Sequence, residues 1–211
     1  MSEQFVVSII NHVPKSDKIA LDVGANHGIY TTMLAQKFKK VFAFEPQPDN
    51  IEILQKNIQQ FDNVEIVAKA ISDKSGSVKL NINPHNMGGH SISKKVAAHP
   101  EWGFTQQITM DVPAITLDEF CADKDVGFIK FDIEGAEDFI FAGAQETLKR
   151  PDLNILIEVH NEVNLKNLYD MFKSHNFRIF GLGLSFGPGT SHYETVLVND
   201  FVADNHYFLI K

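Results

Sequence analysis

The fold is decided by one short stretch, residues 22–28, which read DVGANHG. The apolar run before it, residues 18–23, predicts a β-strand, and residues 28–38 after it repeat apolar side chains at helical spacing. Gly24 lets the backbone turn sharply close to a ligand, and Gly28 permits tight packing of the helix that follows. The stretch therefore predicts a strand, a glycine turn and a helix, which together form a nucleotide-type binding loop.

The alternation of strands and helices continues along the whole chain. Further strands are predicted at residues 41–44, 64–70, 126–132, 153–159 and 177–180, and at 193–198 or 207–210, with helices at residues 49–60, 136–148 and 165–174. Strands that alternate with helices in this way predict an α/β fold with a mostly parallel sheet and right-handed crossovers. At 211 residues, without repeats or linkers, we expect a single domain over residues 1–211.

The segment at residues 71–115 interrupts this pattern with short, polar-rich pieces. Residues 77–82 alternate with a period of two, and residues 83–93 are rich in asparagine, glycine and proline. We expect an insertion that carries a small antiparallel element. This insertion either closes over the site as a lid or is a surface segment without a function.

Composition and charge restrict the class of protein. A 44% hydrophobic fraction is typical of globular proteins, and a net charge of -8 disfavours a nucleic-acid partner, since that affinity depends on cations at phosphates. The longest apolar runs, such as residues 5–10, are too short to cross a bilayer, and the first residues do not resemble a signal peptide. With one cysteine, Cys121, no internal disulfide is possible, so we expect a cytoplasmic protein.

Two acidic residues at strand ends indicate the kind of ligand. Asp22 ends the first strand, where a carboxylate suits a cationic, amine-bearing ligand better than a pyrophosphate. Glu45 follows the second strand about 20 residues beyond the glycine loop, the usual place of a carboxylate that accepts from a ribose diol. Pro46 fixes the chain immediately after it. These features predict a ribose-bearing, cationic ligand.

The end of the third strand falls where it would flank an adenine ring. Ala70 and Ile71 supply apolar contacts there, and Asp73 is able to accept from an exocyclic amine, although this sequence is also ordinary turn chemistry. We therefore predict an adenine contact at this strand end.

Four motifs in order connect the chain to a known family. They are DVGANHGIY at residues 22–30, FEP at 44–46, ITLD at 115–118 and IKFDIEGAE at 129–137. Together they resemble the FkbM-type methyltransferase family over residues 18–180. The resemblance implies a Rossmann-like class I methyltransferase fold, with a seven-stranded sheet, helices on both faces, and a seventh strand that runs antiparallel near the C-terminus.

The resemblance also implies a methyl donor and an acceptor. The donor is S-adenosyl-L-methionine, and the acceptor is a hydroxyl on a sugar, glycan or related small molecule. The implied donor-binding residues are Asp22, Gly24, Asn26, Gly28, Tyr30 and Glu45. We add Ala25 in the loop, Pro46 and Asp132 to this predicted set.

Charged residues at two strand ends are candidates for catalysis. A hydroxyl acceptor must lose its proton, which calls for a carboxylate or a histidine near the methyl group. Asp132 and Glu134 alternate with Lys130 at the end of the fourth strand, and Glu158 and His160 share a face at the end of the fifth. These four acids and bases, Asp132, Glu134, Glu158 and His160, form the predicted catalytic cluster. A divalent cation held there is an alternative, although no known metal-ligand spacing is present.

Two other functions remain open from the sequence alone. An NAD-dependent oxidoreductase on a similar sheet is disfavoured by the incomplete glycine pattern and by Asp22, which would repel a pyrophosphate. A catalytically silent scaffold is disfavoured by the charged residues that the sheet would bury. Binding of adenosylhomocysteine compared with NAD separates the first alternative from a methyltransferase.

Overall fold

The fold is taken from a computed structural model that describes residues 2–83, 90–93, 108–159, 165–187, 190–199, 201 and 205–211. Its strands are β1 Ser16–Val23, β2 Phe38–Phe44, β3 Val64–Val67, β4 Ala70–Ile71, β5 Gly76–Ile82, β6 Ile108–Ile115, β7 Val126–Phe131, β8 Asn154–Val159, β9 Arg178–Gly187, β10 Thr190–Leu197 and β11 Asn205–Ile210. Its helices are α1 Ser2–His12, α2 Ile29–Ala35, α3 Pro48–Ile58, α4 Leu117–Cys121, α5 Glu137–Ile140 and α6 Leu165–Ser174.

The main sheet has the strand order β10-β9-β11-β8-β7-β1-β2-β3. The neighbours from β8 to β3 pair in parallel, whereas β11 is antiparallel to both β8 and β9. This confirms the predicted class I methyltransferase fold, including the antiparallel strand near the C-terminus. The described sheet has eight strands rather than seven, because β10 pairs antiparallel with β9 at the edge.

The central strands are apolar because both faces of the sheet are covered. Every residue of β7 is buried, as expected for a parallel strand between two layers. On one side, Phe131 packs edge-to-face against Phe141, which in turn packs against Phe172 of α6. On the other side, Phe128 contacts Phe38.

Within the described residues, no helix is long and apolar enough to cross a membrane.

Helix α1 was not predicted, since residues 5–10 were considered only as an apolar run. Phe5, Val6 and Ile10 are buried in one cluster with Leu34 and Phe128. The run is therefore the apolar face of a helix that covers the sheet.

The predicted third strand, residues 64–70, is divided in the structure. Residues 64–67 form β3 at the edge of the main sheet, and residues 70–71 form β4, which pairs with β6 instead. β4, β6 and β5 make a separate three-stranded sheet, in which β5 and β6 are antiparallel. Sequence periodicity cannot show this division, because both pieces keep an extended backbone and only the pairing partner changes.

The predicted helix at residues 136–148 is wrong in its length. α5 ends at Ile140, and two 3₁₀ turns follow, Phe141–Gly143 and Thr147–Lys149. A Cβ atom on Gly143 would lie 2.8 Å from the Ser72 carbonyl oxygen, so the backbone passes very close to the end of β4. A side chain larger than hydrogen at this position would therefore collide with the backbone after β4.

Candidate active site

The glycine loop between β1 and α2 has the sharp turns that its sequence predicts. Gly24, Asn26 and Gly28 have φ angles of 76°, 49° and 85°, in the left-handed region. A Cβ atom on Gly24 would lie 1.9 Å from the carbonyl oxygen of Asp132, so no larger residue fits without a shift of the backbone. The loop is therefore pressed against the end of β7.

Glu45 is held in a fixed position at the end of β2. Its carboxylate accepts from the backbone N–H groups of Asn26 and Gln47, both at 2.9 Å, and also hydrogen-bonds the side chain of Asn50. Burial raises the pKa of the carboxyl group, and the three hydrogen bonds oppose that rise. Because a carboxylate has about four acceptor positions, Glu45 can still accept a hydrogen bond from a ligand hydroxyl.

A buried charge triad lies directly beneath the loop. The ammonium group of Lys130, on β7, is 3.4 Å from Asp22 Oδ1 and 3.3 Å from Asp132 Oδ2, and it donates to the Gly24 carbonyl at 3.2 Å. The same ammonium lies 4.9 Å from the ring centre of Tyr30. Asp22 is completely buried and also accepts from the Thr31 hydroxyl at 2.6 Å.

The protonation of the triad follows from burial and pairing. Full burial raises the pKa of Asp22, against the opposing effects of Lys130 and Thr31. Burial alone would lower the pKa of Lys130, but the carboxylates of Asp132 and Asp22 raise it above its ordinary value. Lys130 therefore stays a cation at neutral pH, paired with two acids.

Two cavities open on either side of the glycine loop. The first, of about 620 Å³ including space open to solvent, lies over the ends of β1, β2 and β4. Its described lining is Val23, Gly24, Asn26, Phe44, Glu45, Pro46, Asn50, Lys69, Ala70, Ile71, Leu80, His90, Ile92, Asp132, Ile133, Glu134 and Ile140. The second, of about 820 Å³ by the same measure, is lined by Gly24, Ala25, Asn26, His27, Ile29, Tyr30, Lys130, Asp132, Glu158 and His206.

The two cavities meet at a junction of three residues. Gly24, Asn26 and Asp132 line both cavities and form this junction. The side-chain oxygen of Asn26, Oδ1, is buried without a hydrogen-bond partner among the described residues. A buried acceptor without a partner is costly, and this oxygen lies within the wall of the junction rather than on its accessible surface.

The second cavity contains an acid and a histidine that are in contact. His206 Nε2 lies 3.1 Å from Glu158 Oε2. The two residues are directly opposite in the antiparallel pairing of β8 and β11. His206 is mostly buried, at 8% exposure, whereas Glu158 is 23% exposed toward the cavity side.

The predicted site residues lie in different positions relative to the two cavities. Glu134 has a left-handed backbone with a φ of 51°, lines the first cavity, and its carbonyl oxygen accepts from the Ser91 hydroxyl at 2.6 Å. Asp73 is outside the described lining of both cavities and accepts from the Ser72 hydroxyl at 3.2 Å, so its adenine contact stays a prediction. His160 lies outside the described residues.

The predicted lid is described only in part. His90 and Ile92 line the first cavity, and burial lowers the pKa of His90, opposed by the charge of Asp49. The remainder of the predicted lid, residues 84–89 and 94–107, lies outside the described residues. Among the described side chains, no three metal-ligating groups converge.

Several site residues were missed by the sequence reasoning. Lys130 was noted as a charged residue but was not assigned to the site, and Asn50, which contacts Glu45, carries no motif signal. His206 was also missed, since it meets Glu158 only through the pairing of β11 with β8. A strand prediction for residues 207–210 comes close to His206, but strand pairing cannot be read from that pattern.

The family comparison agrees with this geometry. The model of the methyltransferase FkbM domain matches residues 22–179, about three quarters of the chain. The chain therefore belongs to the FkbM methyltransferase family, as its motifs predicted.

Two curated relatives are similar over most of this chain. Hexuronic acid methyltransferase AglP of Haloferax volcanii is 25% identical over 79% of the chain, and the match covers 66% of AglP. The 2-O-methyltransferase NoeI of Sinorhizobium fredii is 25% identical over 77% of the chain, and the match covers 70% of NoeI. The chain thus spans about two thirds of the length of these relatives.

Solved structures support the fold. The crystal structure of methyltransferase FkbM from Methylobacillus flagellatus matches with a TM-score of 0.60 at 17% identity, over 92% of this chain and 43% of that protein. Precorrin-6y C5,15-methyltransferase from Geobacter metallireducens matches with a TM-score of 0.53 at 11% identity, over 98% and 87% of the two chains. At these identities the likeness shows the shared fold alone.

Proposed function

We propose that this chain is an S-adenosylmethionine-dependent O-methyltransferase whose acceptor is a hydroxyl of a sugar, glycan or related small molecule. The observation that carries the proposal is the fixed carboxylate of Glu45 in the first cavity, beside the unpartnered Asn26 oxygen. Family membership supports the methyl transfer, and a sugar hydroxyl is favoured because AglP is a hexuronic acid methyltransferase and NoeI is a 2-O-methyltransferase.

The first cavity fits the nucleoside part of the donor. Glu45 accepts from the ribose hydroxyls, since its hydrogen bonds to Asn26 and Gln47 hold both carboxylate oxygens in place. Ala70 and Ile71, both buried, offer apolar contacts for an adenine ring. This assignment keeps the predicted roles of the strand ends of β2 and β4.

The junction between the cavities fits the amino-acid part of the donor. Asn26 and Asp132 line this place, and the Asp132 carboxylate accepts hydrogen bonds, as an ammonium requires. Asp22, by contrast, is sealed below the loop, so we assign it to holding Lys130 rather than to direct contact. When bound, the donor supplies a methyl group already activated on a sulfonium.

The second cavity fits the acceptor, because it begins at the shared junction and is lined by polar and aromatic side chains. We place the removal of the hydroxyl proton within the predicted cluster at the ends of β7 and β8. Displacement from an activated donor requires mainly alignment of the acceptor oxygen and exclusion of water.

The donor assignment is tested by calorimetry with S-adenosylhomocysteine. Glu45→Ala removes the charged acceptor of the ribose hydroxyls, a loss of about 1.5 to 3 kcal/mol, which corresponds to roughly 10- to 150-fold weaker binding. Glu52→Ala, an exposed glutamate on α3, is the matched control and should bind normally. Unchanged affinity in Glu45→Ala would refute the ribose assignment, and preferential binding of NAD would favour the oxidoreductase alternative.

The acceptor assignment needs a separate assay. Transfer of a labelled methyl group is measured with methyl glycosides of neutral hexoses and of hexuronic acids as probes. Label in the glycoside supports a sugar hydroxyl as acceptor. Tight binding of adenosylhomocysteine without transfer to any glycoside contradicts that part of the proposal and leaves the donor site intact.

A further inference from the structure

The acid and the histidine in the second cavity, Glu158 and His206, lie in one row across the sheet with Asp132 of the donor junction. Phe131 of β7 pairs with Ile157 of β8, and the next residues along these parallel strands are Asp132 and Glu158. Glu158 in turn lies opposite His206. All three side chains line the second cavity, so the row runs from the junction into the proposed acceptor space.

The carboxylates of this region differ in their electrostatic partners. Asp132 is 3.3 Å from the buried ammonium of Lys130, and a carboxylate that faces a permanent cation binds a proton weakly. Glu134 lines only the first cavity. Glu158 lines the second cavity and faces the imidazole of His206 instead.

The imidazole of His206 lies beside the Glu158 carboxylate. The distance from Nε2 to Glu158 Oε2 is 3.1 Å, which is within hydrogen-bond range. Nδ1 is buried without a hydrogen-bond partner among the described residues. A neutral ring protonated on Nε2 would leave Glu158 a stronger base than an imidazolium would, because a cation beside a carboxylate favours the charged carboxylate.

We propose that Glu158 is the base that removes the acceptor's hydroxyl proton, and that His206 is the positioning residue that holds it. This inference rests on the methyl-transfer function proposed above. The proton moves from the hydroxyl oxygen to a carboxylate oxygen of Glu158. The hydroxyl oxygen forms the new bond to the methyl carbon, and the carbon–sulfur bond breaks with its electron pair left on sulfur.

The first measurement needs no acceptor. Long-range ¹H–¹⁵N NMR on the ¹⁵N-labelled chain with bound S-adenosylhomocysteine reports the protonation of each histidine ring, and His206→Gln identifies the signal. We expect a neutral ring with the proton on Nε2, whose signals shift in Glu158→Gln. An imidazolium, or a ring protonated on Nδ1, would overturn the proposal, since Glu158 would then face a cation or receive no hydrogen bond.

The second measurement is single-turnover methyl transfer to the best methyl glycoside probe at saturating donor. Glu158→Gln should lower the rate roughly 10²- to 10⁴-fold. His206→Leu should lower it by up to about 100-fold through misplacement of Glu158, whereas His206→Gln retains an N–H donor and should recover most of the rate. This difference separates positioning from a merely structural role.

The controls separate this proposal from the donor assignment. Affinity for adenosylhomocysteine should stay within about twofold in all three variants, and Glu52→Gln should be normal in both assays. Rates within about threefold of the wild type in Glu158→Gln would overturn the proposal. If the wild-type chain methylates no glycoside, the acceptor class proposed above fails, and the NMR result alone then decides whether the pair has the required form.

Discussion

Removal of Lys130 is the strongest test of the buried triad. Lys130→Met keeps most of the side-chain length and removes the ammonium group together with its hydrogen bonds to the Gly24 carbonyl and Asp132. Lys130 is 3% exposed and Asp22 is fully buried, so the carboxylate of Asp22 would remain in the interior without its cation. At an effective dielectric constant of about 20, each charge pair at these separations is worth about 5 kcal/mol before desolvation is considered.

The net effect is smaller, because the ammonium no longer has to be desolvated. Breaking a buried pair by removal of one partner typically costs about 3 to 5 kcal/mol, and we expect a loss of unfolding free energy in that range. Urea denaturation at pH 7 measures it. The matched control is Lys79→Met, whose pair with Asp111 is 66% and 68% exposed, and a loss of less than about 1 kcal/mol is expected there.

The loss should also depend on pH. Without Lys130, the folded-state pKa of Asp22, already raised by burial, rises further above its unfolded value. A carboxyl group of that kind binds more protons in the folded state, so stability falls as pH increases from the unfolded toward the folded pKa. The deficit of Lys130→Met should therefore be smaller at pH 5 than at pH 8.

A double variant identifies the cause of the loss. Asp22→Asn in the Lys130→Met background removes the uncompensated charge and should restore more than half of the lost stability. A loss of less than about 1 kcal/mol of unfolding free energy in Lys130→Met, or no recovery of stability in the double variant, would refute the claim that the Asp22–Lys130 ion pair stabilises the fold.

The remaining predictions concern the loop and the cysteine. Gly24→Ala should unfold the loop or lower the free energy of unfolding by more than about 2 kcal/mol, because the added Cβ meets the Asp132 carbonyl. Gly76→Ala, at a φ of 138° but with open space around the added Cβ, measures the cost of backbone strain alone. Similar urea midpoints for the two variants would contradict this expectation. Burial raises the pKa of the Cys121 thiol to about 11, so almost no thiolate is present at pH 8. Ellman's reagent should react with Cys121 only after denaturation, and rapid labelling of the folded chain would be inconsistent with its burial.

The part of the site that could be predicted from the sequence is the part formed by local signals. The loop at residues 22–28 and Glu45 follow directly from strand ends, glycine positions and spacing along the chain. Lys130 was visible as a charge on an apolar strand, but its partners depend on the register between β7 and β1, where Asp22 is opposite Lys130. Register between parallel strands is a tertiary property, and no local pattern determines it.

Other features depended on pairing over long sequence distances. His206 meets Glu158 because β11 inserts between β8 and β9, which a strand pattern alone does not indicate. Ser91, which forms an isolated bridge with Asn81 of β5, donates to the Glu134 carbonyl. Gly143, in the 3₁₀ turn that follows the shortened helix, likewise passes close to the Ser72 carbonyl. Each of these contacts joins segments whose proximity follows only from the complete fold.

The division of the site between two parts of the chain also bears on acceptor choice. The residues assigned to the donor, from the loop at 22–28 through Glu45 to Asp132, all lie within residues 22–179, which the family model matches. His206 lies beyond that region, on the antiparallel strand that borders the second cavity. In the proposed site, residues at the ends of β1, β2 and β7 contact the donor, whereas Glu158 of β8 and His206 of β11 border the acceptor space. We therefore expect substitutions at His206 to change methyl transfer to the acceptor while affinity for adenosylhomocysteine in the first cavity stays intact.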